Sequence, residues 1–142
     1  MTGRRERGSA PVELVGLTIV LLVPFVYVML AVLDVQRAAY AVSSASKAAA
    51  RAYVQAPDTV TAGERARLAA RFALADQRVA ADVNITCLPT PADCLRAGSS
   101  VRVDVDTVQP LPLTPSALGD RLGGVAVEGS HTERFGRFRE DR

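Results

Sequence analysis

From Leu14 to Leu33 the chain runs LVGLTIVLLVPFVYVMLAVL, twenty residues without one charged side chain. In a helix, at ~1.5 Å per residue, this run covers ~30 Å, the hydrocarbon thickness of a bilayer. A core helix of a small soluble domain keeps one polar face, whereas this run is apolar all round, so a membrane span is the expected fate of the segment. Pro24 inside the run is tolerated in a membrane helix and predicts a kink.

The span divides the remaining charge. Arg4, Arg5 and Arg7 against Glu6 account for the whole formal charge of +2 on the 142-residue chain. The rest is balanced between basic and acidic groups. Arginines before the span, with only Asp34 and Arg37 close behind it, predict a cytoplasmic N-terminus and an extracytoplasmic C-terminus. A neutral exported region without a basic stripe argues against nucleic acid as a partner.

Beyond the span, residues 34–56 keep a helical period. Ala38, Ala41, Ala45, Ala48 and Ala52 fall on one stripe, and Ser44, Lys47, Arg51 and Gln55 on another. One helix over residues 9–56 would be ~70 Å long, half in lipid and half amphipathic, ending at Pro57. A second helix is predicted from Thr61, where Glu64 three residues on completes a capping box, to about Arg78, with Leu68, Phe72, Ala75 and Val79 at helical spacing. The period then changes to two. Val83, Ile85 and Cys87 alternate with Asp82, Asn84 and Thr86, and Val101, Val103 and Val105 alternate with Arg102, Asp104 and Asp106, as in strands with one wet face. A third strand is expected within 123–131 through Val125 and Val127, after the proline-rich stretch 110–115. The predicted class is α+β: the long helix, a second helix, then a small antiparallel sheet. The organisation is a basic cytoplasmic leader at 1–8, a membrane helix at 9–33, an extracytoplasmic extension at 34–56, a small domain at 57–133 and a flexible tail at 134–142.

The membrane boundary carries one charge that needs a reason. In RGSAPVE, Gly8 and Ser9 are followed by Glu13 at the edge of the apolar run. A carboxylate costs ~2.5 to 3.5 kcal/mol at a bilayer centre and less at the interface, so a Glu placed there is by default a functional residue. A cut between Gly8 and Ser9 would leave an α-amino group four residues before Glu13. Those two charges could neutralise each other within one helix, or between staggered neighbours in a fibre, where the pairing would set the axial register. The bland alternative is a boundary residue that snorkels to the interface.

This arrangement resembles the type IV pilin family, whose precursors have a short basic leader ending in Gly, a cut before a hydrophobic helix, and Glu as the fifth mature residue. Within it, RRERGSAPVEL at 4–14, LDVQRAA at 33–39 and KAAARAYV at 47–54 look like the TadE-like pseudopilins of tight-adherence (Flp) pilus systems. Leu14 departs from the Phe that often follows the Glu there. The 86-residue region from Pro57 to Arg142 exceeds what a major Flp pilin carries. The resemblance implies a minor pseudopilin or assembly component without catalytic residues or cofactor, cut by a prepilin peptidase between Gly8 and Ser9, with Glu13 serving assembly. Its implied partners are that peptidase, other pilins and pseudopilins, the inner-membrane assembly platform and the bilayer. Its implied place is the cytoplasmic membrane, or beyond it the pilus or cell surface.

Other residues invite weaker readings. Cys87 and Cys94 bracket LPTPAD on the expected oxidising side and predict a disulfide; a metal site would lack ligands, since the chain has one histidine, His131. His131 with a cysteine for nucleophilic work, or Asp104 with Asp106 for metal or acid–base work, are poorer than a surface histidine and the solvated face of a strand. Asn84-Ile85-Thr86 matches a glycosylation sequon inside a predicted strand. Two non-pilus readings stay open. Ala39-Tyr40-Ala41 is an A-x-A site whose cleavage would release a secreted protein, although signal peptides use apolar runs of ~7 to 15 residues. A plain membrane-anchored envelope protein would need no Glu13.

Overall fold

In the computed structural model, residues 10–92, 94–112 and 123–136 are described. Helix α1, Ala10–Val54, is 45 residues long and continues without interruption past Pro24. Four residues then separate it from α2, Thr59–Asp76. So short a connection makes the two helices antiparallel neighbours. Three strands follow, β1 at Asp82–Leu88, β2 at Ser100–Pro110 and β3 at Gly124–Arg134. They form one antiparallel sheet in the order β1-β2-β3. The architecture is α+β, as the change of period from helical to two predicts.

Helix α1 has two unlike halves. The apolar window near its N-terminus has a mean hydropathy of 2.6 and none of it is buried, so it is long and apolar enough to cross a bilayer. From Ala38 onward the same helix becomes the central element of the domain, with Ala38, Ala41, Val42, Ala45, Ala49, Ala50 and Tyr53 buried. Ser44, Lys47 and Arg51 form its wet stripe, which Gln55 continues just past the helix end, as expected. Ala48 and Ala52 are half-buried, because the buried surface is shared between two partners, α2 and the sheet, and is wider than a single alanine stripe.

The second helix differs from its sequence reading at both ends and on its face. Asp58, rather than Thr61, is the N-cap: its carboxylate accepts from the Thr61 backbone N–H at 2.8 Å and from the Thr61 hydroxyl at 2.8 Å. A side-chain acceptor at this place satisfies a helix-start N–H that has no partner within the helix. The C-terminus comes at Asp76, two residues before Arg78, which takes a left-handed φ of 57°. Ala62, Ala66, Ala70 and Leu74 face inward, while Leu68 and Phe72 are 54% and 69% exposed. Alanines on both helices allow the axes to approach closely, whereas a Leu or Phe in the contact would hold them apart.

The sheet covers another side of α1. Val101, Val103 and Val105 of β2 and Val127 of β3 point inward and are buried, alternating with residues on the outer face. The largest fully buried apolar side chains are only Val42, Val103 and Val105. Each contributes ~1.5–3 kcal/mol by burial, so this core depends on close approach rather than on large side chains. The third strand runs past its expected end to Arg134, and the Phe135 N–H donates to the Ser99 carbonyl at 2.9 Å. Arg134, expected as the first residue of the tail, is thus the last of β3, and residues 137–142 lie outside the described part.

Candidate functional site

Glu13 lies in the first turn of α1, exposed and flanked by exposed Val12 and Leu14. A carboxylate there faces the positive end of the helix dipole, which favours it by ~0.3–1 kcal/mol at exposed sites. The first turn also has backbone N–H groups without helical partners, so the helix start is electrostatically suited to an anion. Gly8 and Ser9, the residues of the expected cut, lie outside the described residues. On the C-terminal side of Glu13 the helix presents apolar side chains in every direction, Leu14, Val15, Leu17, Ile19 and Val20 among them. Thr18 returns its hydroxyl to the Leu14 carbonyl at 2.8 Å, so this polar side chain leaves no dangling donor on the surface that the helix offers to lipid or a neighbouring helix. Glu13 is thus the sole charged side chain on α1 from its first residue to Leu33.

The two cysteines are joined. Cys87, at the end of β1, is bonded to Cys94, with 5.3 Å between the α-carbons. The Tyr53 hydroxyl donates to the Cys87 sulfur at 3.5 Å, tying the far end of α1 to the loop that the disulfide closes. Burial raises the Tyr53 hydroxyl above its ordinary value of 10.0. The cysteine–histidine idea finds no thiol to work with, since no free cysteine remains.

The other candidate groups are engaged or dispersed. His131 Nε2 lies 3.1 Å from a Glu133 carboxylate oxygen on β3. Asp104 takes the Arg102 Nε–H at 2.9 and 3.1 Å, so it forms an ion pair on the outer face of β2. Asn84 sits in β1 opposite Asp104. Among the described residues no group of three or more His, Cys, Asp or Glu is placed to hold a metal ion.

One relationship that the one-dimensional pattern hides is a row of like charges. Asp82, Asp106 and Glu128 are cross-strand neighbours on the outer face, one from each strand. The alternation marks each as wet, and only the register brings the three together. Comparison with protein-family models, with curated proteins and with solved structures finds no match to this chain.

Proposed function

We propose that this chain is a minor pseudopilin or assembly component of a tight-adherence (Flp) type IV pilus, cut by a prepilin peptidase between Gly8 and Ser9. The observation that carries the reading is Glu13, standing alone in the first turn of a helix whose next twenty residues are uncharged and exposed, save for partial shielding at Tyr27 and Ala31 near the domain. A carboxylate so placed is available to an α-amino group created at Ser9, on the same chain or on a staggered neighbour. The apolar helix supplies the lateral packing surface. The N-terminus is cytoplasmic and the domain extracytoplasmic, in keeping with the three leading arginines and with a disulfide that belongs on the oxidising side.

The domain is built on the distal half of the same helix, which supports an anchored rather than a released protein. Cleavage after Ala41 would remove Ala38 and Ala41 from the core and cut α1 beneath Val42. A membrane-anchored envelope protein that never joins a fibre is the competing reading, since a span of this length and hydropathy anchors a chain without further assembly.

Intact-mass measurement on the protein from membranes of its native host tests the cut. The expected chain begins at Ser9; a chain still beginning at Met1 overturns the processing claim. Glu13→Ala separates pilus component from simple anchor. The former loses piliation with the protein still in the membrane, whereas the latter inserts at least as well and changes nothing else.

A further inference from the structure

Gly129 and α1 fix the height of the sheet along the helix. A Cβ on Gly129 would lie 2.7 Å from the Val42 carbonyl carbon, so β3 and α1 touch backbone to backbone at this level. At the other end Tyr53 reaches Cys87, and Cys87 is in register through Val101 with Glu133. β3 therefore ascends alongside α1 in the same direction. Going down from Gly129, Val125 is four strand residues away, or ~13 Å at ~3.3 Å each. Going down from Val42, Leu33 is nine helical residues away, ~13.5 Å at ~1.5 Å each. The lower end of the sheet thus comes level with the last residue of the apolar run. Burial agrees: one edge of α1 is partly shielded at Tyr27, Ala31, Asp34 and Val35.

The side chains at that end are mostly apolar, half-buried Gln109 opposite Val125 being the polar exception. Val108 is 63% exposed on the outer face, Val125 is 39% exposed on the inner face, and Ala126 is exposed directly opposite Val108. Pro110 and Leu111 end the strand between them. Two residues further up, Val108 and Ala126 give way to Asp106 and Glu128, with Asp82 beside them. The change from apolar to acidic takes ~6.6 Å, about the depth of an interfacial contact rather than of insertion into hydrocarbon.

We propose that this end of the sheet rests on the extracytoplasmic surface of the same bilayer, as a second, shallow membrane contact. Val108, Leu111, Val125 and Ala126 lie among the headgroups and upper acyl chains, and the carboxylate row stays in water and limits the depth. The contact restrains the tilt of the domain about the point where α1 leaves the lipid. It rests on the anchor reading of α1 and adds a separate, measurable surface.

The sequence contains no Trp, so single substitutions report depth without background. The full chain, reconstituted into phosphatidylcholine vesicles with and without brominated acyl chains, is compared as Val20→Trp in the span, Val108→Trp and Ala126→Trp at the sheet end, and Gln55→Trp just past the far end of α1. Bromination is expected to quench Val20→Trp most and Gln55→Trp not at all. Val108→Trp and Ala126→Trp should show an intermediate loss. Quenching of Val20→Trp with both sheet-end variants as insensitive as Gln55→Trp overturns the second contact and leaves the anchor standing. An unquenched Val20→Trp overturns the anchor, and the second contact with it.

Discussion

Gly129 of β3 is seated on the backbone of Val42 of α1, where an added Cβ would meet the carbonyl carbon at 2.7 Å, its oxygen at 2.8 Å and the Ser43 nitrogen at 2.9 Å. All three are backbone atoms of a helix packed on two sides, so none can swing away. Gly129→Ala is expected to destabilise the domain by ~1–3 kcal/mol, the range for overfilling a packed site. Gly63 in α2 provides the opposite case, with nothing within 4 Å of its added Cβ. Gly63→Ala should stabilise by up to ~1 kcal/mol through helix propensity. Urea unfolding of the full chain in detergent, followed by circular dichroism, reads both signs.

The disulfide should matter more here than in a domain with a large core. The buried side chains are mostly Ala and Val, and of the aromatic residues only Tyr53 is buried among those described. Closing the loop between Cys87 and Cys94 contributes ~2.5 kcal/mol in the chain-entropy treatment. The double variant Cys87→Ala, Cys94→Ala is expected to lose about that much, with a lower urea midpoint. Thiol titration should find no reactive thiol in the unreduced protein.

The α2 face is where sequence and structure part. Element type and order were legible, because a change from period 3.6 to period two is carried by many residues at once, from Leu68 to Val105. Which stripe of α2 packs was not, because Leu68 and Phe72 have the greater transfer energy and yet Ala62, Ala66 and Ala70 fit the partner helix. Contact distance decides between them, and that depends on a surface far away in sequence. The carboxylate row Asp82, Asp106 and Glu128 was hidden for a similar reason, since register is a property of strand pairs. Glu13 differs from both, because the role proposed for it is argued from its spacing to the uncharged run and not from any tertiary contact. The expected consequence is an inversion of the usual rule. Phe72→Ser should change stability by less than ~0.5 kcal/mol, while Ala66→Leu should cost ~1–3 kcal/mol by forcing the helices apart. Thermal unfolding of the two variants side by side checks it; a large loss from Phe72→Ser would mean that this face is covered.

Stability should depend on pH at both extremes, through two groups at the distal end. The Asp58 carboxylate is held below its ordinary 3.8, first by the Thr61 backbone N–H and next by the Thr61 hydroxyl. A depressed carboxylate favours the folded state whenever it is ionised in both states, so its contribution is complete above ~4 and fades as pH falls through the folded value. Asn caps a helix about as well as Asp but does not titrate there. Asp58→Asn is therefore expected to keep the neutral-pH stability and flatten the part of the acid limb due to this group. At the alkaline end Tyr53 is raised by burial, so the folded state prefers its neutral hydroxyl. Its contribution is complete below 10.0 and is lost as pH rises through the folded value. Tyr53→Phe removes the titrating group and the hydrogen bond to Cys87 together, lowering neutral-pH stability by ~0.5–1.5 kcal/mol while reducing the alkaline slope. Urea midpoints of the wild type and both variants across the two pH limbs test the assignment. An acid limb in Asp58→Asn as steep as in the wild type would show that another carboxylate controls it.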